Sequence, residues 1–590
     1  MARTLSKTDA VIVGLGWTGA IAAKELTDAG LNVVALERGP AYDQASFATR
    51  RMHDALAYGV RGALNHPLDK QTITFRNNAD QTALPMRRIG SFNPSEGFGG
   101  SGNTWSGHSP RAAPSDFRLR SHYTERYGAD IFPDEMTSQD WGVTWDEIEP
   151  RYSTFERVAA VSGTAGNLNG ELREGGNTLE GPRSAEYPLP AFERNKPGRL
   201  FIEAATRMGY APYPVPVANA SEAYTNPYGV EMGRCVLCGH CPSHACAYGA
   251  KGSPVNSVLP AIDASRFEAR AECDVIRIEK SADGQTVTGV TYVSPTGEEV
   301  FQPAAMVVLS AYTFDNVRLM LLSGIGAPYD PGTGEGVVGR NYSYQTLASV
   351  DGFVRGGAMN PQIAGGSQGT LIDAFMADNF DHAEALVDGR PFIGGGFIGP
   401  FNLGGSPITY APTRPGSPPW GAGWKEAVVE GYQEKFGLNI HASVQSYRTN
   451  HLDLDPTYTD QYGRPLLRMT FDFPDNEQRM MRFLVGKAEE IAREMGADEV
   501  RANPLPVPYT ITQYQTTHNV GGTAMGRDPT TSVVNTALQS WDAHNLFVFG
   551  GTVFPQNTGA NPTPTLAALA YHALARITGE YLDDPRALDG

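Results

Sequence analysis

Cysteine is scarce in this chain, five residues in 590, too few for a disulfide scaffold of this size. Four of the five, Cys235, Cys238, Cys241 and Cys246, fall within twelve positions, so they read as ligands before anything else. Long apolar runs are also missing. A membrane-spanning helix needs roughly 20 apolar residues without interruption, and the uncharged run 391–408 is broken by six glycines. Basic residues are outnumbered, 47 Lys and Arg against 64 Asp and Glu, which sets a formal charge of −17 and a pI near 5.2. That balance disfavours nucleic acid and anionic membrane surfaces and leaves a small neutral substrate or a protein partner. The opening MARTLSKTDAVIVGLG enters an apolar strand too soon to hold the successive regions of an export signal. No signal of the chain's own is therefore expected.

Glycine (66) and proline (42) are plentiful, short of low-complexity levels but enough for many turns and close backbone approaches. The branched run 9–13 predicts a strand, followed by Gly14-Leu-Gly16-Trp-Thr-Gly19 and a helix over 20–29 that stops at Gly30. A second strand over 32–36 ends in Glu37, so the segment reads as a βαβ unit. In such a loop the first glycine permits the turn, the second admits a pyrophosphate and the third lets helix and strand pack. Phosphate would sit at the helix N-terminus, and Glu37 can accept from ribose hydroxyls. NAD and FAD both use this loop, so by itself it does not choose between them.

Further along, 50–95 reads as irregular and 97–107 as a glycine-dense loop. Helices are expected at 145–162 and 198–208 in a second lobe, and at 257–264 after the cysteines. A hairpin over 275–278 and 286–293 precedes a buried strand at 305–310, whose following helix ends near Ser323-Gly324. Region 340–510 alternates short strands with Gly and Pro turns, which predicts a mostly antiparallel substrate lobe. A strand at 545–549 and a helix at 565–577 close the chain, with the run Asn561-Pro-Thr-Pro-Thr565 opening that helix.

Four separated segments carry a family resemblance. They are VIVGLGWTGA with Glu37; GFGGSGNTWSGH; VVLSAYTFDNVRLMLLSGIG followed by Val338-Gly-Arg-Asn341; and the pair HNVGGTAMG and FPQNTGANPTPTLAALAYHALA. Together they resemble the glucose-methanol-choline oxidoreductases, and the resemblance implies FAD and oxidation of an alcohol. The fold it implies is α/β (α+β overall), a Rossmann-like FAD-binding domain with a substrate domain on a mostly antiparallel sheet. The FAD-binding parts would be 1–115, 231–338 (with the cysteine segment) and 511–590, the cap region 116–230 and the substrate domain 339–510.

His518 matches the family's catalytic histidine and Asn561 its partner. An imidazole with an ordinary pKa near 6.5 can take a hydroxyl proton at neutral pH. The resemblance brings Gly99, Gly100, Ser101 and Asn103 against the flavin, and assigns Arg38, Thr104, Val275, Gly551 and Thr563 to the cofactor site beside Gly14, Gly16, Gly19 and Glu37. Some relatives tether FAD through a histidine next to the tryptophan of this loop. Here Thr104 precedes Trp105 and His108 lies three residues beyond, so non-covalent FAD is expected, with His108 in a supporting or structural role.

The run CVLCGHCPSHACAYGAKGSP has the compact C-x2-C-x2-C-x4-C spacing of short ferredoxin-like ligand runs, with Pro242 adding a turn. It is similar to the large subunits of gluconate, fructose and related sugar dehydrogenases, which implies an iron–sulfur cluster, 3Fe-4S or 4Fe-4S. A zinc knuckle and buried inert thiols are the alternatives. Cys273 reads as a core residue. The function expected is an FAD-dependent dehydrogenase of a sugar, sugar acid or glycoside hydroxyl that relays electrons through the cluster to a one-electron acceptor. The partners implied are a signal-bearing small subunit and a cytochrome c, in the periplasm by co-export; a cytoplasmic enzyme stays open. The alternatives are an oxidase of the same family that uses oxygen, or a non-catalytic zinc or electron-transfer subunit.

Overall fold

Branched residues in TDAVIV and VVAL form two neighbouring parallel strands, Thr8–Val13 and Val33–Leu36, with Val13 in register with Leu36. The helix Trp17–Asp28 connects them and buries Ile21, Ala22, Ala23 and Leu26. The computed structural model describes residues 3–48, 62–88, 90–92, 94–241, 244–359, 366–400, 411–513 and 516–588. Across Thr8–Val13 from Val33–Leu36 lies the long strand Glu299–Leu309, also parallel, with Leu309 in register with Val13. Leu546–Val548 pairs in parallel with its end, and Phe267–Arg270 pairs in parallel with Val33–Leu36. The first half of Glu299–Leu309 instead carries the antiparallel hairpin of Asp274–Lys280 and Val287–Val293. Parallel strands here are buried on both faces, which is why they read as continuous apolar runs.

A second sheet stands beside this one. Its order is Gly396–Gly399, Lys435–Ala442, Thr346–Phe353, Glu499–Asn503, with every pair antiparallel. The expectation of an antiparallel sheet within 340–510 holds for these strands, but the region also contains two helices that the strand pattern passed over, Gly421–Glu434 and Asp475–Glu494. The second is amphipathic, burying Met480, Met481, Leu484, Ala488, Ile491 and Ala492 against the sheet, with Asp475 and Glu477 in its first turn.

Three other boundaries shift for local reasons. The helix expected at 257–264 is only Pro254–Ser257 followed by a 3-10 turn at Leu259–Ala261, because Pro260 cannot continue an α-helix. The segment expected to be irregular supplies a strand, Ile73–Arg76, parallel to Pro465–Thr470, although 49–61 lies outside the described residues. The last helix begins at Pro562, with Asn561 as its N-cap residue, and Thr565 sits inside the first turn, its hydroxyl 2.6 Å from that of Tyr152.

That contact lies where Pro562–Arg576 packs on Trp145–Val158, beside a buried ion network. The Glu156 carboxylate accepts from Arg111 Nε at 2.8 Å and Arg183 Nη2 at 2.6 Å, and Arg111 Nη1 also donates to Glu149 at 2.7 Å. All three charged groups around Glu156 are almost fully removed from water. Removing one partner from such a network leaves uncompensated charge inside the protein, typically at a cost of about 3–5 kcal/mol. We therefore expect Glu156→Ala to lose about 3–5 kcal/mol of unfolding free energy in a urea titration. A midpoint unchanged from the parent would show that the network is dispensable.

Candidate active site

The carboxyl ends of the parallel strands open on one cavity of about 600 Å³, where Val13, Leu36, Ser310 and Phe549 meet. Ligands of open α/β sheets bind at this rim. The three glycines of the first loop divide the work there. Gly14 has φ +91°, and a Cβ on it would stand 2.5 Å from Ser310 O. At Gly19 a Cβ would meet Gly14 O at 2.1 Å, so that position is reserved for helix-strand contact. Gly16 is different: a Cβ there would meet no protein atom within 4 Å, and the residue lines the cavity at the start of the first helix. Room on that side belongs to something other than the chain.

Glu37 reaches the cavity, but its carboxylate is also engaged by the protein. It accepts from Leu15 N at 2.9 Å, Gly39 N at 2.9 Å and Gly97 N at 3.2 Å, so it clamps the two glycine loops together. Burial pushes its pKa up, opposed by those amides and by Arg38. Arg38 lines the same end of the cavity, paired with Glu96 at 3.2 Å and Asp315 at 3.3 Å.

Of the second glycine loop, Gly100, Ser101 and Thr104 line the cavity, as do Val275, Gly551 and Thr563. Gly99 and Asn103 are not among the residues that line it. Asn103 turns back, its amide donating to Phe98 O at 2.7 Å, and a Cβ at Gly99 (φ +92°) would strike the Asn103 side chain at 2.5 Å. Both shape the loop.

His518 and Asn561 come to the same cavity from segments far apart in sequence. The Nδ1 of His518 is hydrogen-bonded to Gln345 Oε1. Burial, with His108 nearby, pushes the imidazole pKa down to about 3, well below the ordinary value expected from sequence, so the ring is neutral at physiological pH. His108 also lines the cavity, close enough to act on His518. Sequence reasoning missed His441, on the strand Lys435–Ala442, which stacks on Phe397 and stands 6.0 Å from the His518 ring. It missed Gln345 as well. His441 lies in a strand whose alternation would have turned it inward, whereas nothing local marks Gln345.

The first turn of the last helix, with Asn561, Pro562 and Thr563, also faces the cavity, and a helix N-terminus favours negative charge. The cysteine segment abuts the wall through Gly239, His240 and His244. The buried Lys251 Nζ ties it to the glycine loop, donating to Trp105 O at 3.1 Å, Cys241 O at 2.9 Å and His244 O at 2.7 Å. Burial pushes the Cys241 thiol up to about 12; Lys251 opposes this, while Cys235, Cys246 and Cys238 lie close enough to raise it further. Among the described residues no three Cys, His, Asp or Glu side chains converge in metal-ligand geometry. Pro242 lies outside the described residues. Cys273 is buried, as expected of a core residue, though it also borders the cavity.

Residues 145–346 and 446–570 match the two sequence profiles described as GMC oxidoreductase. The whole chain aligns at 46% identity with 96% of the gluconate 2-dehydrogenase flavoprotein of Pantoea cypripedii. This chain belongs to the GMC oxidoreductases. The fructose dehydrogenase large subunit of Gluconobacter japonicus is 25% identical over 98% of this chain and 99% of its own length. The fold is shared with the crystal structure of pyridoxine 4-oxidase from Mesorbium loti, at a TM-score of 0.60 and 17% identity, covering 97% of this chain and 100% of that one.

FAD is the cofactor this family implies, and the cavity of this GMC oxidoreductase fits it. The face at Gly16 is open, two helix N-termini border the cavity, and two buried lining atoms, Trp17 Nε1 and Asn561 Oδ1, have no hydrogen-bond partner among the described residues. From the glycine geometry we expect Gly16→Val to leave the melting temperature of the unloaded protein within a few degrees while weakening FAD binding about tenfold or more in a fluorescence titration. Gly19→Ala should instead lower the melting temperature itself. Equal effects of the two changes would contradict the division of roles.

Proposed function

We propose that this GMC oxidoreductase is an FAD-dependent dehydrogenase that oxidises a hydroxyl of a sugar or sugar acid, with His518 as base and Asn561 as its partner. The observation that carries the reading is the meeting of His518 and Asn561 with the dinucleotide loop on one cavity. The substrate class is supported by likeness to relatives named for gluconate and fructose. When bound, FAD supplies the acceptor for the hydride that leaves the carbinol carbon. The chain does the rest. His518, held neutral, accepts the hydroxyl proton at Nε2, and the Asn561 amide holds the alcohol oxygen as it becomes a carbonyl. The N-terminal end of Pro562–Arg576, where Thr563 keeps an N–H between two prolines, favours the negative charge that builds in the cavity.

We further propose that Cys235, Cys238, Cys241 and Cys246 hold an iron–sulfur cluster, which supplies one-electron chemistry toward a carrier such as a cytochrome. Four soft donors in twelve positions, within electrostatic reach of one another and next to the cavity wall, support it. A small subunit fits the same picture, since the relatives are named as a flavoprotein and as a large subunit.

His518→Ala should keep FAD and lower the rate of substrate-driven flavin bleaching by about 100- to 10,000-fold in anaerobic stopped flow. Unchanged bleaching would remove His518 from the mechanism. A base whose pKa is lowered stays deprotonated as pH falls, so kcat/KM should show no acid limb between about pH 6 and 7, the range in which an ordinary histidine would protonate. A limb centred near the ordinary value would contradict the buried, neutral imidazole. For the cluster, protein purified without oxygen should contain iron and acid-labile sulfide in similar amounts. Protein with neither carries no such centre.

A further inference from the structure

The short strands Ser343–Tyr344 and Asn519–Val520 pair antiparallel, Ser343 with Val520 and Tyr344 with Asn519. Continuing that register by one step places Gln345 opposite His518, and Gln345 N reaches His518 O at 3.4 Å. Residues facing each other in this way bring their side chains together. Gln345 is fully buried, and both ends of its amide are engaged. The NH2 end points at three backbone carbonyls, Thr558 O at 3.2 Å, Gly559 O at 2.8 Å and Ala560 O at 3.2 Å. The oxygen end faces His518 Nδ1.

This pattern admits one orientation of the amide. Carbonyls can only accept, so the end that faces three of them must be the donor end, and the end toward the histidine must be the acceptor. An acceptor at Nδ1 requires a proton on Nδ1. In a neutral imidazole the other nitrogen, Nε2, is then bare and basic. The three carbonyls also belong to the loop that runs directly into Asn561.

We propose that Gln345 is the positioning residue of this site: it selects the Nδ1–H tautomer of His518, leaves Nε2 as the proton acceptor, and through the 558–560 loop holds Asn561 at a set distance from that base. The proposal rests on the reading of His518 as the base. Among the described residues no charged group competes for the role. The titratable groups that face His518 are two further histidines, His108 and His441, and burial holds His441 well below the ordinary histidine range. A neutral amide therefore does the orienting that a carboxylate does in the Ser-His-Asp triad. It fixes the tautomer without stabilising the imidazolium, which suits a base kept neutral by burial.

The test uses the FAD-loaded enzyme and two substitutions. In Gln345→Met, which keeps length but neither donates nor accepts, the rate of anaerobic flavin reduction should fall about 10- to 100-fold with FAD content retained. In Gln345→Glu an acceptor stays at Nδ1 but carries charge, which raises the histidine pKa, so the acid limb of the reduction rate should move up by about one pH unit or more. Nitrogen-15 spectra of labelled histidine, assigned by loss of the signal in His518→Ala, should show the parent His518 protonated at Nδ1. On a His518→Ala background, Gln345→Met should add little further loss, since both changes remove one unit. A proton on Nε2 in the parent, or a Met variant that reduces flavin within twofold of the parent with the same pH profile, would overturn the assignment. Full multiplication of the two losses would overturn it too, by placing the effect of Gln345 outside His518. If His518→Ala alone leaves reduction unchanged, it is the reading of the base that fails.

Discussion

The site depends on the pairing of one long strand. Glu299–Leu309 takes Thr8–Val13 along one edge and Leu546–Val548 along the other, so segments from the start, middle and end of the chain finish at a common rim. Gly14, Ser310 and Phe549 each follow the last paired residue of their strand, and all three border the cavity. A slip of one residue in any of these pairs would exchange the two packed faces of the strand and move a loop off the rim. The fully buried Val11, Ile12, Val307, Val308 and Phe547 make such a slip costly.

On that frame the site is assembled from side chains that have already been removed from water. Burial decides their chemistry more than any single partner does. It lowers the pKa of His518 and His441, raises that of Glu37 and raises that of the Cys241 thiol. Each shift favours the neutral form, which is the form a proton acceptor at neutral pH has to occupy and the form a thiol keeps until a metal displaces its proton. Lys251 is shifted the same way, burial lowering its pKa against the nearby cysteines, while its Nζ donates to three carbonyls and joins the cysteine segment to the glycine loop at Trp105.

The local elements were legible where one short stretch contains its own instructions. The strand-glycine-helix start at 8–28, the hairpin of Asp274–Lys280 and Val287–Val293, and the strand Glu299–Leu309 with its following helix all follow from periodicity and turn residues. Proline explains the shortened helix at Pro254–Ser257. The helix Asp475–Glu494 was readable in principle, for its buried residues recur at helical spacing, but the surrounding strand-and-turn pattern masked it. Asn103 and Gly99 carry a role that the motif did not show: the resemblance pointed to the cofactor, and the loop also packs the two against each other.

What the sequence alone determined was the chemistry available: a dinucleotide loop, a histidine and an asparagine in motifs of one oxidoreductase family, and four thiols in one short run. The reason is that residue type and close spacing are local properties, and they survive without knowledge of the fold. Tertiary structure decided which groups act on one another. The neighbours of His518, namely Gln345, His441 and His108, come from three other segments, and nothing in their own surroundings says that they meet it, because contact across a sheet register and the desolvation that goes with it exist only once the strands have paired.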